Sequence, residues 1–317
     1  MNSPRLSLGT SAPATFELSA LDNFSESNSY ADWNGELMPL EEVRIPALDR
    51  GFLFADSVYE VLRVEQNQPL WFDQHLTRLS RSLDAVRMGC DLELVKLRIS
   101  RLLQNHSFEH GFLYVQITRG IGPRKHAFPP SGTPNNILIF VQPFDHEGYQ
   151  IKRNRGTAAM SHPDLRWKRP DIKSNNLLPN CLSIQAAMEQ GFEEVILFNE
   201  HDEYTESPNA NLFVIKDGVL ITAPLGQDIL HGITRNIVLR AATRLLMPVE
   251  ERYIARNELS EIDEMFLTST TCEVMPVVRV DDQIIGMGHP GKFSDELFQE
   301  TRQLTRENLQ PVHRKAA

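Results

Sequence analysis

From Trp33 onward the apolar residues fall into short periodic runs. Asn34-Gly35 reads as a hairpin turn, and EEVRIPALD after it as extended chain. In SVYEVLRVEQNQPLWF apolar and polar positions alternate, which predicts two strands around a polar turn at Glu65–Gln68. Leu76, Leu79, Leu83 and Val86 then recur at helical spacing, so Phe72–Val86 is expected to be an amphipathic helix, with a second helix over Leu92–Asn105. GFLYVQITRG and NILIFVQPF read as strands on either side of a Pro-rich turn, and Asp145–Gln150, poor in apolar residues, as a linker. In the second half CLSIQAAMEQG reads as a helix opened by Pro179-Asn180 and capped by Gly191. EEVILFN and NLFVIKDGVLITA read as strands, the latter a hairpin over Lys216-Asp217-Gly218. Ile237, Val238, Ala241, Ala242, Leu245 and Leu246 make one helical stripe closed by Pro248. DEMFLTST and VVRVDDQIIG add a strand and a hairpin. Strands and helices mix without regular βαβ alternation, so the expected class is α+β, or α/β with mixed sheets.

Composition narrows the classes of function. The 317 residues carry 32 Lys and Arg against 42 Asp and Glu, a net charge of −10. Such a chain lacks the basic surface that a dedicated nucleic-acid binder uses to displace counterions. The longest apolar runs, such as Ile137–Val141, are far shorter than the roughly 20 residues of a membrane helix. The first stretch is rich in Ser, Ala, Asn and Pro and has no continuous apolar core, so residues 1–29 are expected to be a flexible arm rather than a secretory signal. Cys90, Cys181 and Cys272 are widely spaced and odd in number, so no disulfide framework or zinc site is expected and all three read as buried or partly buried thiols. A cytoplasmic, metal-free protein with no nucleic-acid or membrane partner is the expectation. The length fits about two domains, read as 30–145 and 153–317 joined by a linker at 146–152.

Three places carry candidate chemistry. In GPRKHAF, Arg124 and His126 lie two apart, and on extended chain both would point the same way, a guanidinium and an imidazole suited to gripping a carboxylate. Spacing alone favours the plainer reading of a solvated basic loop beside Lys125. In RWKRPDIKSNNLLPN, Lys173 sits beside Ile172 just before a helix; a lysine against an apolar wall loses its charge more readily and suits Schiff-base chemistry. Periodicity does not separate it from Lys168 or from an ordinary surface lysine. Gly232-Ile233-Thr234 opens the helix carrying Ile237, and a helix start offers free N–H groups and a positive dipole end to phosphate. An ordinary N-cap explains that turn as well, and Thr268–Thr271 is either a further source of hydroxyl donors or a plain turn.

The blocks LDRGFLFADSVYEVLRV, HLTRL, FLYVQITRGIGPRKHAFP, RWKRPDIKSNNLLPN, YTES…NLFVIKDGVLITAP, ILHGITRNIV and MFLTSTTCEVMPV follow one another from about Tyr30 to Asp282. In that order they resemble the fold-type IV aminotransferases, which use pyridoxal 5′-phosphate (PLP), and within these the D-amino acid transaminases. The resemblance implies two domains with mixed sheets and the cofactor between them, working as a homodimer. It assigns the Schiff-base lysine to Lys173 and the partner of the pyridine nitrogen to Glu206. Arg78 would grip the phosphate with the N–H groups of Ile233 and Thr234 and the Thr270 hydroxyl, and Leu230 would pack on the ring. Tyr59 would line the substrate pocket. Arg124 and His126 match the R-x-H pair that receives the substrate α-carboxylate across the dimer interface in that family. The implied reaction moves the amino group of a D-amino acid such as D-alanine to a 2-oxo acid such as 2-oxoglutarate or pyruvate.

The chain departs from the family pattern in two places. Ala55 and Ser57 stand where the family usually has glycines, which would strain the loop before Tyr59 if either position needs a positive φ. After Glu206, Ser207 and Pro208 replace a glycine-serine run, so pocket shape is the property most exposed. The rival readings on the same fold are a branched-chain L-amino acid or (R)-amine transaminase, against which the R-x-H pair argues, and aminodeoxychorismate lyase. A binding protein without catalysis would retain Lys173 and Glu206 together only by accident.

Overall fold

The computed structural model describes residues 29–309; apart from Ser29, the arm read at 1–29 lies outside them. The chain builds two sheets in succession. In the first half a hairpin of β1 (Tyr30–Trp33) and β2 (Glu36–Pro39) turns on Asn34 and Gly35, both at positive φ. There follow α1 (Arg50–Phe54), β3 (Ser57–Glu65), β4 (Gln68–Pro69), α2 (Phe72–Ala85), α3 (Leu92–Asn105), β5 (His110–Thr118) and β6 (Asn136–Pro143). The strands form a six-stranded antiparallel sheet in the order β2-β1-β6-β5-β3-β4. Helices α2 and α3 lay Leu76, Leu79, Leu83, Val95, Ile99 and Leu102 against Leu62, Val64, Leu113, Val115 and Ile139 of the sheet.

The second half runs α4 (His146–Arg155), β7 (Thr157–Pro163), α5 (Leu178–Glu189), β8 (Glu194–Phe198), β9 (Glu203–Tyr204), β10 (Asn211–Lys216) and β11 (Val219–Thr222). It continues with α6 (Ile233–Arg244), β12 (Val249–Glu251), β13 (Ile254–Ala255), β14 (Glu264–Ser269), β15 (Glu273–Val280), β16 (Gln283–Ile284) and α7 (Lys292–Leu309). Its ten-stranded sheet is mixed: β15, β7 and β8 run parallel, as do β11 and β12, while β10, β11, β14 and β15 pair antiparallel. In β10 Leu212 and Val214 face one core, and Phe213 and Ile215 face another formed with α6 and α7. Both faces are covered, which is why the strand reads as a continuous apolar run.

Four expectations need correction. Residues 146–152, read as linker, are helical, part of α4. That helix buries no residue fully; Tyr149 packs half-buried on the second core, Asp145 accepts from the Gly148 N–H at 2.9 Å, and Lys152, Arg153 and Arg155 stand at the negative end of the dipole. The segment after the first hairpin, read as extended, is irregular: a 3-10 turn covers Leu40–Glu42, and the chain turns again at Ala47-Leu48 before Asp49, the N-cap of α1, which accepts from the Gly51 N–H at 2.6 Å. The buried stripe of α6 begins at Ile233 and ends at Ala242; Leu245 and Leu246 lie past the helix and face solvent, Leu246 at φ +55. Cys181 is exposed, whereas Cys90 and Cys272 are partly buried.

The two halves are joined by a cluster of buried and half-buried ions. Arg63 of β3 pairs with Glu65 at 2.6 Å and with Glu273 of β15 at 2.9 Å, and Arg302 of α7 reaches the same two carboxylates at 2.7 and 3.0 Å. The α7 helix also touches the first half where Asn308 accepts from the Trp71 N–H at 3.4 Å.

Candidate active site

A cavity opens between the halves. Tyr59 and Arg78 line it from the first half, and Glu206, Leu230, Ile233, Thr234 and Thr270 from the second. Lys173 stands on the connection between β7 and α5. Its backbone is pinned from both sides of the first half: the Lys173 N–H donates to Ser82 Oγ of α2 at 3.2 Å, and its carbonyl accepts from the Tyr59 N–H of β3 at 3.0 Å. The side chain then lies over the Tyr59 ring, with Nζ 4.2 Å from the centroid.

Glu206 is the most completely held group. It is 2% exposed. Oε1 accepts from Nη1 of Arg166 at 2.6 Å, Oε2 accepts from Nδ2 of Asn211 at 2.8 Å, and the Leu230 N–H reaches both at 3.1 Å. Burial pushes the carboxyl up to about 7, against the pull of Arg166 and of the Leu230 N–H. Arg166 is itself oriented by a two-point bond to Asp164 at 2.9 and 2.7 Å.

Arg78 presents a different balance. Nε and Nη2 bind Glu60 in a fork at 2.7 and 2.8 Å, and Nδ1 of His75 donates to the same carboxylate at 2.7 Å. All three groups are buried. Burial favours the neutral acid, but the charge and hydrogen bonds of Arg78 prevail, with the His75 bond, and hold Glu60 well below the usual carboxylate range. Burial lowers His75, consistent with a neutral ring donating through Nδ1. Glu60 thus cancels the charge of Arg78 while fixing its plane, and Nη1 is left beside the cavity, 3.3 Å from the His231 carbonyl.

The remaining wall is a helix start. Gly232 caps α6 without any side-chain bond, so the first N–H groups of the helix, those of Ile233 and Thr234 among them, have no acceptor within the helix. Thr234 lies inside α6 and does not cap it. A Cβ on Gly232 would meet Asn211 Oδ1 at 1.9 Å, so only glycine lets Asn211 lie close enough to bind both Glu206 and the Leu230 carbonyl.

Eight of the ten candidate residues therefore share one cavity, and Arg124 and His126 do not. Both are exposed on the loop after β5; His126 borders a neighbouring cleft that shares Trp167, Ile172, Ser174 and Asn176 with the cavity. The loop 206–211 is closed by the Ser207 N–H donating to the Ala210 carbonyl at 2.8 Å, and Asn180 of α5 holds the Pro208 carbonyl. Neither Ser207 nor Pro208 takes a positive φ, so the missing glycine causes no strain there. Ala55 does take one, φ +53, at the end of α1. Ser57 instead donates to Asn175 Oδ1 at 2.7 Å.

Glu60, His75, Arg166 and Asn211 were not singled out from the sequence. Glu60 and His75 left a trace: each is an ionisable residue at a position whose period assigns it to a buried face, which demands a partner. Arg166 and Asn211 left none, because their roles depend on loops meeting across the sheet.

The model of the class IV aminotransferases matches residues 57–280, and the chain belongs to that family: it is an aminotransferase. It is 37% identical over 266 residues to the D-alanine aminotransferase of Bacillus licheniformis, covering 83% of this chain and 92% of that one. It is 34% identical over 271 residues to that of Staphylococcus epidermidis, covering 84% and 94%. Among solved structures, the branched-chain amino acid aminotransferase of Escherichia coli superposes with a TM-score of 0.77 at 25% identity, over 88% of this chain and 94% of that one. A PLP-bound aminotransferase from Mycobacterium tuberculosis gives 0.76 at 18% identity, over 89% and 100%, and speaks for the fold alone.

Proposed function

We propose that this enzyme is a D-amino acid transaminase, working as a cytoplasmic homodimer with PLP on Lys173. Class IV aminotransferases depend on PLP, and the donor set of the cavity suits that cofactor. The uncapped start of α6, Nη1 of Arg78 and the Thr270 hydroxyl would hold its phosphate. The Thr268 hydroxyl, buried beside them without a partner, offers one more donor. Glu206 would face the pyridine nitrogen, Leu230 would pack on the ring, and Lys173, which lines the same cavity, would carry the cofactor. The observation that carries the reading is a carboxylate buried this deeply, fixed by three donors, yet still bordering a cavity that holds a lysine.

When bound, PLP supplies an electron sink for the charge left as the Cα proton of an amino acid departs, and carries the amino group from one substrate to the next. Once the substrate amine has displaced it from the cofactor, Lys173 Nζ would take that proton as a general base and hold it for return. Glu206, kept in place by Arg166 and Asn211, keeps the pyridine nitrogen protonated. Tyr59 walls the substrate space beside Lys173. Arg124 and His126 of a second copy of the chain would receive the α-carboxylate, an arrangement supported by their exposure and their position outside the cavity of their own chain.

The test is the visible absorption of the purified holoenzyme as D-alanine is added without any 2-oxo acid. The band of the lysine-bound cofactor should fade and be restored by 2-oxoglutarate or pyruvate, with L-alanine and L-leucine leaving it untouched. A band indifferent to D-alanine but sensitive to L-leucine or an amine would move the assignment to the L-specific or amine relatives. A holoenzyme whose band D-alanine leaves untouched and that makes no D-glutamate from D-alanine and 2-oxoglutarate would move it to a lyase.

A further inference from the structure

The loop that carries Arg124 and His126 is fastened by its backbone. Its carbonyls turn inward onto one guanidinium. Nη1 of Arg50 donates to the Lys125 carbonyl at 2.7 Å and the Ala127 carbonyl at 3.2 Å, Nη2 to that of His126 at 3.4 Å, and Nε to Asp56 at 2.8 Å. Arg50 is 3% exposed, while Arg124, Lys125 and His126 all face solvent. Asp56 is shared with Nε of Arg119, which is tied in turn to the carbonyls of Val86 and Arg87 at 2.7 and 3.0 Å. At the other end of α1 the Phe54 ring lies 5.7 Å from the Arg124 guanidinium carbon, 5.6 Å from the His126 ring and 4.8 Å from the guanidinium carbon of Arg50, so it touches both recognition groups and their anchor.

The geometry points to Arg50 and Phe54 as the positioning residues of the carboxylate grip: Arg50 sets the backbone of the Arg-x-His loop and Phe54 sets the spread of its two side chains. The inference rests on the proposed role of Arg124 and His126. Its physical basis is the number of donors. A planar guanidinium satisfies three carbonyls and a carboxylate at fixed angles, whereas an ammonium has no such fork. A solvent-exposed loop has few other means of keeping two recognition groups in register, and a misplacement of about 1 Å costs up to two orders of magnitude in rate. Neither residue would touch substrate or cofactor.

Four variants of the holoenzyme test this: Arg124→Ala as reference, Arg50→Met, Arg50→Lys and Phe54→Leu. Arg50→Met is expected to raise KM for D-alanine about tenfold with kcat within about threefold, and Arg50→Lys to lie between it and wild type. Brief trypsin treatment should cut Arg50→Met faster than wild type after Arg124 or Lys125, because the freed loop opens. Phe54→Leu leaves the buried charges intact and should raise KM several-fold, which keeps the idea testable if Arg50→Met does not fold. An unchanged KM in the Arg50 and Phe54 variants, with KM raised in Arg124→Ala, would overturn the positioning role alone. A fall in kcat matching the rise in KM, with a lower melting temperature, would assign Arg50 to general stability and overturn it too. If Arg124→Ala itself leaves KM unchanged, the carboxylate reading fails and this inference fails with it.

Discussion

Glu206 gathers three donors yet keeps a raised affinity for its proton, because the loss of water around a fully buried carboxylate outweighs one guanidinium, one amide and one N–H. The consequence can be measured in the cofactor-free protein. A carboxyl raised from 4.5 to about 7 binds its proton more tightly folded than unfolded. Its contribution to stability is therefore complete below pH 4.5 and is lost as pH rises through 7. Denaturant melts of the apo protein between those limits should show this fall, and Glu206→Gln should remove it; a variant with the wild-type slope would refute the assignment. Ala55 makes a second point at this scale. The position is left-handed, a conformation that glycine takes without cost, and this chain accepts the strain with a Cβ in place, at a cost of about 1–2 kcal/mol relieved in part by the lower chain entropy of alanine.

Among the elements, β3 and α2 act as one unit. Strand alternation turns Glu60 inward, and helical spacing places His75 and Arg78 on the face that meets it, so the triad forms wherever these two elements pack. Removing the carboxylate would leave Arg78 buried beside His75 with no counter-charge. Glu60→Gln is expected to cost about 3 kcal/mol in urea unfolding, the lower end for a broken buried pair; a loss under about 1 kcal/mol would mean that Arg78 finds water. The strands and most long helices were legible in the sequence because their periodicity records a buried face. The helix α4 was not, since it packs little more than Tyr149 against the core and so shows no apolar stripe, and α1 is too short for any period to emerge. The site was legible in the same uneven way. Lys173 and the α6 turn stood out as candidates by residue type and local pattern, and Glu206 entered only through the order of seven blocks. Their supports Arg166 and Asn211, which lie apart in the chain, become visible only when the loops are brought together.

For the molecule as a whole the question is what keeps two sheets in one relation around a shared cavity. The ions Arg63, Glu65, Glu273 and Arg302 lie on β3, β15 and α7, so each arginine spans both halves. Arg302→Met should destabilise by about 2–3 kcal/mol, below a fully buried pair because Arg63 still serves both carboxylates. Calorimetry of that variant should show the single transition of the wild type broadening or dividing as the halves uncouple; an unchanged sharp transition at the wild-type temperature would mean the apolar contacts suffice. The position of α7 also bears on the order in which the protein is made. Everything the six-stranded sheet needs has been synthesised by Pro143, yet Glu65 and Trp71 wait for Arg302 and Asn308. On the ribosome the contacts of Lys173 with Ser82 and Tyr59 can form well before α7 emerges, so α7 closes the seam last, and a premature stop before it would leave Glu65 without Arg302 and the Trp71 N–H without Asn308.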